Sequence, residues 1–343
     1  MMQIAFLAEP TSGNGFYRGI GPMEALAARG HRTRAVPVMR EAPLPPALLD
    51  GIDVLHIHRY HEPRAHRLAR EARARGAAVV WDDDDHLASI PREAHNARLW
   101  RSFDGQRRLV EKRRLLRVAD LVTAPGPYLA SRLAEEGAAA TAVLPNFVPD
   151  ALLQARRVAQ PHVTIGWSAG LEHQIDVDRL PIVPALQRLL DERDDVAVIA
   201  FGLGLPLRGE RYAHIPGVPL EELTRHLAML DVGIAPLADI EFNRARSDVK
   251  LKEYAAAGVP WLASPIGPYA ALGEQQGGRL VADDRWHEEL TRLVEKPRER
   301  RRLAKRATRW VAGQTLARNV GAWEDAFADA IERARVAPAT SSG

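Results

Sequence analysis

Short apolar runs alternate with amphipathic segments along the first half of the chain. The apolar runs predict strands, and the amphipathic segments, each followed by or ending near a glycine, predict helices. The predicted strands are 3–8, 32–38, 54–58, 78–81, 121–124 and 142–144, and the predicted helices are 23–29, 64–75 and 128–136. Strands that alternate with helices in this way indicate an α/β protein with a parallel, doubly wound sheet.

The second half repeats this alternation after a polar stretch at 154–161. Its predicted strands are 163–167, 196–202, 232–235 and 261–263, and its predicted helices are 181–193, 220–230 and 285–295. A chain of 343 residues suits two cores of roughly 150 residues each, which we place at 1–153 and 162–313. Two such domains bind their ligand in the cleft between them, at the carboxyl ends of the strands.

The composition is that of an ordinary globular protein, with 46% hydrophobic and 27% charged residues. No apolar run approaches the roughly 18 residues of a membrane-spanning helix. The first ten residues fit a strand better than a signal peptide, so a cytoplasmic protein is expected. The absence of cysteine excludes thiolate catalysis. Residues 336–343, rich in Ala, Pro, Ser and Thr, predict a disordered tail.

The charge pattern argues against a nucleic-acid partner. Basic and acidic residues are interleaved, the net charge is +3, and no nucleic-acid-binding motif is present. Residues 98–117 place Arg and Lys among apolar positions, which predicts either a solvated helix face or a basic amphipathic helix on anionic lipid. We favour the solvated face; the other interpretation would allow peripheral contact with the inner membrane face.

The stretch 243–264 reads as loop, helix, turn and strand, with an unusual concentration of positive charge. Ser247 is the expected N-cap of a helix that runs to Ala257, and Gly258 ends that helix. Basic side chains crowd the first turns, where the helix dipole is already positive, at Arg244, Arg246, Lys250 and Lys252. This arrangement favours a bound anion and predicts a phosphate site.

Glu253 lies three residues after Lys250, on the same face of this predicted helix. One turn beyond a phosphate site, its carboxylate could accept hydrogen bonds from sugar hydroxyls. The alternative is a solvated helix with i,i+4 ion pairs, such as Asp248 with Lys252.

A glycine-rich stretch at 13–21 follows the first strand and opens a helix near Pro22. Gly13 and Gly15 permit close approach of the backbone to a ligand, and Arg18 could meet an anion. The spacing does not fit G-x-G-x-x-G, and no acidic residue ends the second strand, which argues against a dinucleotide-dependent oxidoreductase. The alternative is a glycine loop with no role in ligand binding.

Four carboxylates, Asp82 to Asp85, follow the strand 78–81 and require a compensating charge. They could supply a base or an acceptor for a substrate hydroxyl, bind a cationic acceptor such as an amino sugar, or hold a divalent metal. The alternative is a solvated acidic turn that only caps a helix. We rank acceptor contact above metal, with Asp82 and Asp83 as candidate catalytic residues beside Lys250, and with Asp84 as a candidate for the cleft.

Two further strand ends carry candidate residues. His56, His58 and His61 lack a clear third ligand for a metal and are expected to line the cleft, with His58 best placed. Residues 165–170 form a strand followed by backbone donors. This stretch makes Trp167, Ser168 and the nearby His173 cleft candidates, and Gly202 and Gly204 follow another strand.

These motifs, in this order, resemble those of GT-B glycosyltransferases, close to the large retaining family four, over nearly the whole chain. Residues 144–149 (LPNFVP) are similar to the signature that closes the first domain of that family. Residues 220–236 resemble its segment ending in D-v-x-v-x-P, and Lys250 with residues 253–260 matches K-x-x-E-y-x-a-x-G-x-P. Residues 264–268 and 277–281 fit the strand and turn that follow.

The resemblance implies two Rossmann-like domains, a helix at 314–335 that crosses back to the first domain, and a nucleotide sugar bound mainly by the second. It assigns Lys250 and the amides near Ser247 to the donor diphosphate, and Glu253 to the ribose. Arg246 as a phosphate contact is our own inference from its charge. The other candidates are Gly13, Gly15, Asp248 and Val249 for the diphosphate, and Gly202, Gly204, Ile215 and Gly217 for the base side of the cleft.

Two departures from the family pattern change the expected chemistry. Ala245 stands where the family often has a Glu near the donor sugar, and Asp82 stands where it often has a His, which suggests an altered acceptor. The function implied is sugar transfer from a nucleoside diphosphate sugar to a hydroxyl or amine acceptor, with retention. The acceptor would be a small molecule, a glycan or a lipid-linked molecule, in a bacterial cytoplasm, with no cofactor and no strictly required metal. The alternatives are a nucleotide-sugar 2-epimerase of the same fold and a non-catalytic nucleotide-sugar-binding protein.

Overall fold

The computed structural model describes residues 1–9, 13–37, 46–94 and 96–336. Within these ranges the chain builds two six-stranded sheets, in which every pairing is parallel. The first sheet has the order β2-β1-β3-β4-β5-β6, with β1 Gln3–Ala8, β2 Arg32–Pro37, β3 Val54–His58, β4 Ala78–Asp82, β5 Leu121–Ala124 and β6 Thr141–Val143. The second has the order β12-β11-β10-β7-β8-β9, with β7 Val163–Ala169, β8 Val196–Gly202, β9 Tyr212–Ile215, β10 Val232–Ala235, β11 Trp261–Ala263 and β12 Gly278–Leu280.

Helices cover the faces of both sheets, as parallel sheets require. In the first half they are α1 Gly13–Gly15, a π-helix at Phe16–Ile20, α2 Gly21–Ala28, α3 Pro63–Ala74, α4 Ala97–Arg101, α5 Phe103–Val118 and α6 Pro127–Glu135. In the second half they are α7 Gln174–Arg179, α8 Ile182–Glu192, α9 Leu220–Leu227, α10 Glu241–Arg244, α11 Val249–Ala256, α12 Trp286–Glu295, α13 Pro297–Val311 and α14 Leu316–Val336. The predicted doubly wound α/β class is confirmed.

The last helix returns to the first sheet. Trp323 and Phe327 of α14 pack in one apolar cluster with Phe6, Val54 and Val80 from the central strands. The chain crosses between the sheets at two places, and these meet at Val148: its amide donates to the Gln314 carbonyl at 3.0 Å, and the Leu316 amide donates to the Val148 carbonyl at 2.8 Å. The predicted return of the final helix is confirmed.

The amphipathic pattern explains why these segments fold onto the sheets. In α8 the apolar positions recur at intervals of three and four, so that they fall on one face. That face is buried against the second sheet and consists of Ile182, Ala185, Leu186, Leu189 and Leu190.

Several elements differ from the prediction. The glycine-rich stretch is helical from Gly13 onward, so the helix begins earlier than the predicted start near Pro22, and the alternative of a plain loop is wrong. Asp248, not Ser247, is the N-cap of α11, and its side chain makes no capping hydrogen bond. Gly258 does end that helix, with a left-handed φ of 70° that favours glycine. Strand β9 and helices α7 and α13 were missed.

The basic segment 98–117 is two helices, because Ser102 leaves the helical conformation and caps α5. Lys112 and Glu111 on α5 are buried, so the positive face predicted for one long helix is interrupted. No helix among the described residues is long and apolar enough to cross a membrane. Val38 of the second predicted strand and residues 337–343 of the predicted tail lie outside the described residues.

Candidate active site

A cavity of about 1130 Å³ lies between the two sheets. Its walls are built from the segments that leave the carboxyl ends of the strands on both sides. Tyr17, Arg59 and Asp85 come from the first sheet, and Ser168 and Gly202 come from the second. This is the place where parallel α/β sheets bind ligands.

Helix α11 begins at this cavity. Ser247, Val249, Lys250 and Glu253 all line it. The Lys250 ammonium donates to the carbonyl oxygen of Ser168, which ties the start of the helix to the end of β7. Burial lowers the pKa of Lys250, although Glu253 opposes this shift. A partly desolvated ammonium beside free helix amides is a strong attractor for an anion.

The other three basic residues of the predicted phosphate site have different environments. Arg246 lines the cavity, and its guanidinium lies over the Phe242 ring at 5.0 Å. Arg244 is exposed and pairs with Asp239 at 2.7 Å. Lys252 is buried behind the helix, where it binds Asp248 and the Asn146 carbonyl, each at 2.8 Å. The predicted Asp248–Lys252 ion pair therefore exists, but within a largely buried helix and not a solvated one.

The carboxylate of Glu253 faces the cavity and meets a side chain from the other sheet. The Tyr17 hydroxyl donates to Glu253 Oε1 at 2.8 Å. Burial raises the pKa of Glu253, while Lys250 and Tyr17 oppose the shift. Lys250 and Glu253 thus share one face of α11, as the sequence spacing predicts.

The first two carboxylates of the acidic run lie in the protein interior. Asp82 accepts from Arg18 Nε at 3.0 Å and from Nη2 at 2.5 Å, and both side chains are fully buried. Burial alone would raise the pKa of Asp82, but the Arg18 guanidinium outweighs it and holds the pKa well below its usual range. Asp83 is likewise buried and pairs with Lys112 at 3.0 Å. Neither aspartate nor Arg18 is among the residues that line the cavity.

The next two carboxylates do line the cavity, and they share one partner. Arg59 Nη1 lies 3.2 Å from Asp84 Oδ1, and Nη2 lies 3.1 Å from Asp85 Oδ2. Arg59 is the one non-glycine residue with a positive φ in the described ranges, at 53°. This conformation costs on the order of 1–2 kcal/mol, so the surrounding contacts must hold the side chain there. Burial raises the pKa of Asp85 to about 6, with Arg59 opposing and Asp84 reinforcing the shift.

Arg18 also connects the acidic run to the opposite sheet. Its Nη1 donates to Asn146 Oδ1 at 3.0 Å, and Asn146 Nδ2 donates to Ser247 Oγ at 3.1 Å. A chain of hydrogen bonds thus runs from Asp82 to Ser247, which lies two residues before α11. Arg18 and Asp82 do not line the cavity, but these hydrogen bonds connect them to Ser247 in its wall.

Some of the remaining candidates line the cavity and others do not. Gly13 and His173 line the cavity, whereas Gly15, Gly204, Ile215, Gly217 and Asp248 do not. Trp167 is buried in the core under the second sheet. His56, His58 and His61 are buried beside the first sheet and do not line the cavity, contrary to the prediction. No group of three metal-ligating side chains occurs among the described residues.

Sequence reasoning missed Tyr17, Arg59 and Glu172, all of which line the cavity. Glu172 lines the cavity 3.7 Å from Arg246 Nη1, which lowers its pKa to about 2 against the opposing effect of burial. The signal for Asn146 was present in LPNFVP, but its contacts to Arg18 and Ser247 could not be read from spacing.

No protein-family model and no curated protein matches the chain. Solved structures do match it over nearly its whole length. A sucrose-phosphate synthase from Thermosynechococcus elongatus has a TM-score of 0.69 at 15% identity and covers 96% of this chain and 98% of its own. An α-glucosyltransferase in complex with UDP-glucose and DNA has a TM-score of 0.69 at 11% identity, and the match covers 95% of this chain and 99% of the transferase. A candidate UDP-N-acetylglucosamine 2-epimerase from Listeria monocytogenes has a TM-score of 0.58 at 12% identity, and the match covers 96% of this chain and 97% of the Listeria chain.

These likenesses span both sheets and the returning helix. At such low identity they show the fold and not the activity. The chain has the GT-B fold, as its sequence motifs indicated.

Proposed function

We propose that this protein is a glycosyltransferase that moves a sugar from a nucleoside diphosphate sugar to an acceptor, with retention. The observation that supports this most is the meeting of Arg246, Lys250 and the start of α11 at one cavity between two parallel sheets. Two cations and free helix amides suit a diphosphate. Glu253, one turn further on, would accept the ribose hydroxyls.

In the proposed reaction the bond between the anomeric carbon and the diphosphate oxygen breaks, and its electron pair leaves with the diphosphate. A bond from that carbon to the acceptor oxygen or nitrogen forms, and the proton that the acceptor loses passes to the departing phosphate. Negative charge develops on the departing phosphate. Lys250, Arg246 and the helix amides are fixed in place before the reaction and would stabilise that charge without reorganising. This electrostatic role leaves no step that strictly requires a metal.

The acceptor side of the proposed site is the pair Asp84 and Asp85. Asp82 and Asp83 are buried and neutralised, so acceptor contact falls to the two carboxylates that line the cavity. These two share the single guanidinium of Arg59. A hydroxyl or amine of the acceptor would donate to them, and Arg59 would hold them in position.

A ligand-binding screen tests the donor half of this proposal. Thermal unfolding is followed with UDP, GDP, dTDP, ADP and CDP, each with and without Mg²⁺, for the wild type and for Lys250→Ala and Glu253→Ala. A ligand that binds the folded state alone raises the Tm by mass action. A selective shift that both variants lose supports the site and names the base; no shift with any of the five contradicts the proposal.

A second candidate, nucleotide-sugar epimerisation, is favoured by the structural likeness to the Listeria protein. An epimerase converts the nucleotide sugar when no acceptor is present, whereas a transferase needs an acceptor for transfer. Incubating the selected nucleotide sugar alone and analysing its sugar by NMR distinguishes the two. Binding with no turnover across a panel of acceptors would favour a non-catalytic protein.

A further inference from the structure

Arg246 belongs to a closed ring of hydrogen bonds in the cavity wall. Its Nε donates to Asn243 Oδ1 at 3.2 Å, and its Nη1 lies 3.3 Å from His173 Nε2. Both neighbours lead to one carboxylate: Asn243 Nδ2 donates to Asp176 Oδ1 at 2.7 Å, and His173 Nδ1 lies 2.7 Å from Asp176 Oδ2. Two arms therefore leave Asp176 and converge on one guanidinium.

The ring fixes the tautomer of His173. A carboxylate accepts, so His173 Nδ1 must carry the proton that it donates to Asp176. Arg246 can only donate, so His173 Nε2 must present its lone pair. Burial, Arg246 and Lys250 all lower the pKa of His173 well below its usual value, which keeps the imidazole neutral.

The members of the ring are enclosed, and Arg246 alone has an incomplete set of partners. Asp176 and Asn243 are fully buried, and His173 is nearly so. Among the described residues, Arg246 Nη2 is buried with no hydrogen-bond partner. A buried, unpaired guanidinium nitrogen is costly, and Arg246 lines the cavity with 14% of its side chain exposed, so an anion bound there would meet the guanidinium.

We infer that Asp176, His173 and Asn243 are positioning residues that orient the Arg246 guanidinium toward the diphosphate of the donor. The Asp176 carboxylate orients His173 and Asn243 through hydrogen bonds. These two side chains in turn fix the plane of the Arg246 guanidinium. This inference rests on the proposed function, because the diphosphate is the ligand of that function. It gives these three side chains a positioning role that the sequence did not predict for any of them.

A double-mutant cycle tests the inference. Dissociation constants are measured by calorimetry for UDP, GDP, dTDP, ADP and CDP and for the matching nucleosides, with Asp176→Asn, Arg246→Ala and the double variant. We expect Asp176→Asn to weaken the diphosphate about tenfold, the loss that fits one charge-assisted hydrogen bond, and to leave the nucleoside within twofold. In the Arg246→Ala background the same change should have no further effect. Asp178→Asn, exposed on the same helix, is the matched control.

A second pair of variants covers the case in which Asp176→Asn fails to fold. His173→Gln keeps an acceptor near the place of Nε2 and should bind the diphosphate within about threefold of the wild type. His173→Ala removes the acceptor and should bind about tenfold more weakly. Rescue by glutamine supports the ring, and equal loss in both variants contradicts it.

The failures of the two proposals are distinguishable. A wild type that binds none of the five diphosphates overturns the proposed function and this inference with it. If the wild type binds one of them, three results would overturn the ring alone. These are no change in the diphosphate Kd with Asp176→Asn, an equal change in the nucleoside Kd, or the same change in the diphosphate Kd in the Arg246→Ala background.

Discussion

The hydroxyl of Tyr17 donates to Glu253 at 2.8 Å, across the cavity and across 236 positions of sequence. Tyr17 lies in the π-helix that follows β1 of the first sheet. Glu253 lies on α11, whose start forms part of the proposed donor site beside the second sheet. The residue assigned to the ribose therefore already has a partner in this structure. A ribose diol that uses both carboxylate oxygens would compete with the tyrosine hydroxyl for Oε1.

Tyr17→Phe should tighten nucleoside diphosphate binding, because the ligand no longer competes with an internal hydrogen bond. A hydrogen bond to a charged group contributes about 1.5–3 kcal/mol, so the expected decrease in Kd is between about 10-fold and about 150-fold. Calorimetry with the diphosphate selected in the thermal screen measures it. Weaker binding would mean that the hydroxyl instead holds Glu253 in its binding position.

Lys250→Ala should lower kcat by about 10²-fold or more, by analogy with the loss of one donor to a developing charge. The Lys250 ammonium lies at the start of α11, where the departing phosphate would gain its charge. Initial rates at saturating donor and acceptor measure the effect. Lys305→Ala, exposed on α13, is the control that should keep the wild-type rate. Near-normal turnover in Lys250→Ala would remove this lysine from the mechanism.

Asp85→Asn should change how stability depends on pH. Burial raises the pKa of Asp85 to about 6, so between its unfolded value and about pH 6 the folded state binds more protons than the unfolded state. Stability from this group is therefore present at low pH and is lost as the pH rises through 6. We expect the free energy of unfolding of the variant to exceed that of the wild type by about 1–3 kcal/mol at pH 7.5 and to equal it near pH 4.

Urea unfolding at pH 4, 5, 6 and 7.5 measures that difference. A gap between variant and wild type that is constant across the four pH values would show that Asp85 has no raised pKa in the folded protein.

Arg18→Met should destabilise the protein by about 3–5 kcal/mol, because it leaves the Asp82 carboxylate buried without its cation. Arg113→Met, at an exposed position on α5, should stay within about 0.5 kcal/mol of the wild type. Denaturant midpoints report both. A loss below about 1 kcal/mol for Arg18→Met would mean that Asp82 is compensated by other groups.

The sequence predicted the sheets and the donor helix well, because both depend on local patterns. Apolar runs mark the buried strands, and Lys250 and Glu253 fall on one face of α11 through simple spacing. The roles of Arg18 and Asp82 were not predictable in this way. Arg18 was predicted to meet an anion and Asp82 to contact the acceptor, and nothing local shows that the two meet across 64 positions and neutralise each other.

The ring around Arg246 shows the same limit. Asp176 and Asn243 are separated by 67 positions, and Arg246 meets His173 across 73. A single chain gives no signal for such contacts. Charge crowding near α11 predicted that an anion binds there, but not which cation would be oriented for it.

The pairing of Val148 with the segment at Gln314 and Leu316 determines how the two halves of the molecule can move. The chain passes between the sheets twice, and backbone hydrogen bonds join the two passages into one short ribbon. Twisting or sliding of one half past the other would break that ribbon, whereas bending there would leave its two hydrogen bonds intact. Bending that opened the cavity would instead break the contacts across it, such as the hydrogen bond from Tyr17 to Glu253.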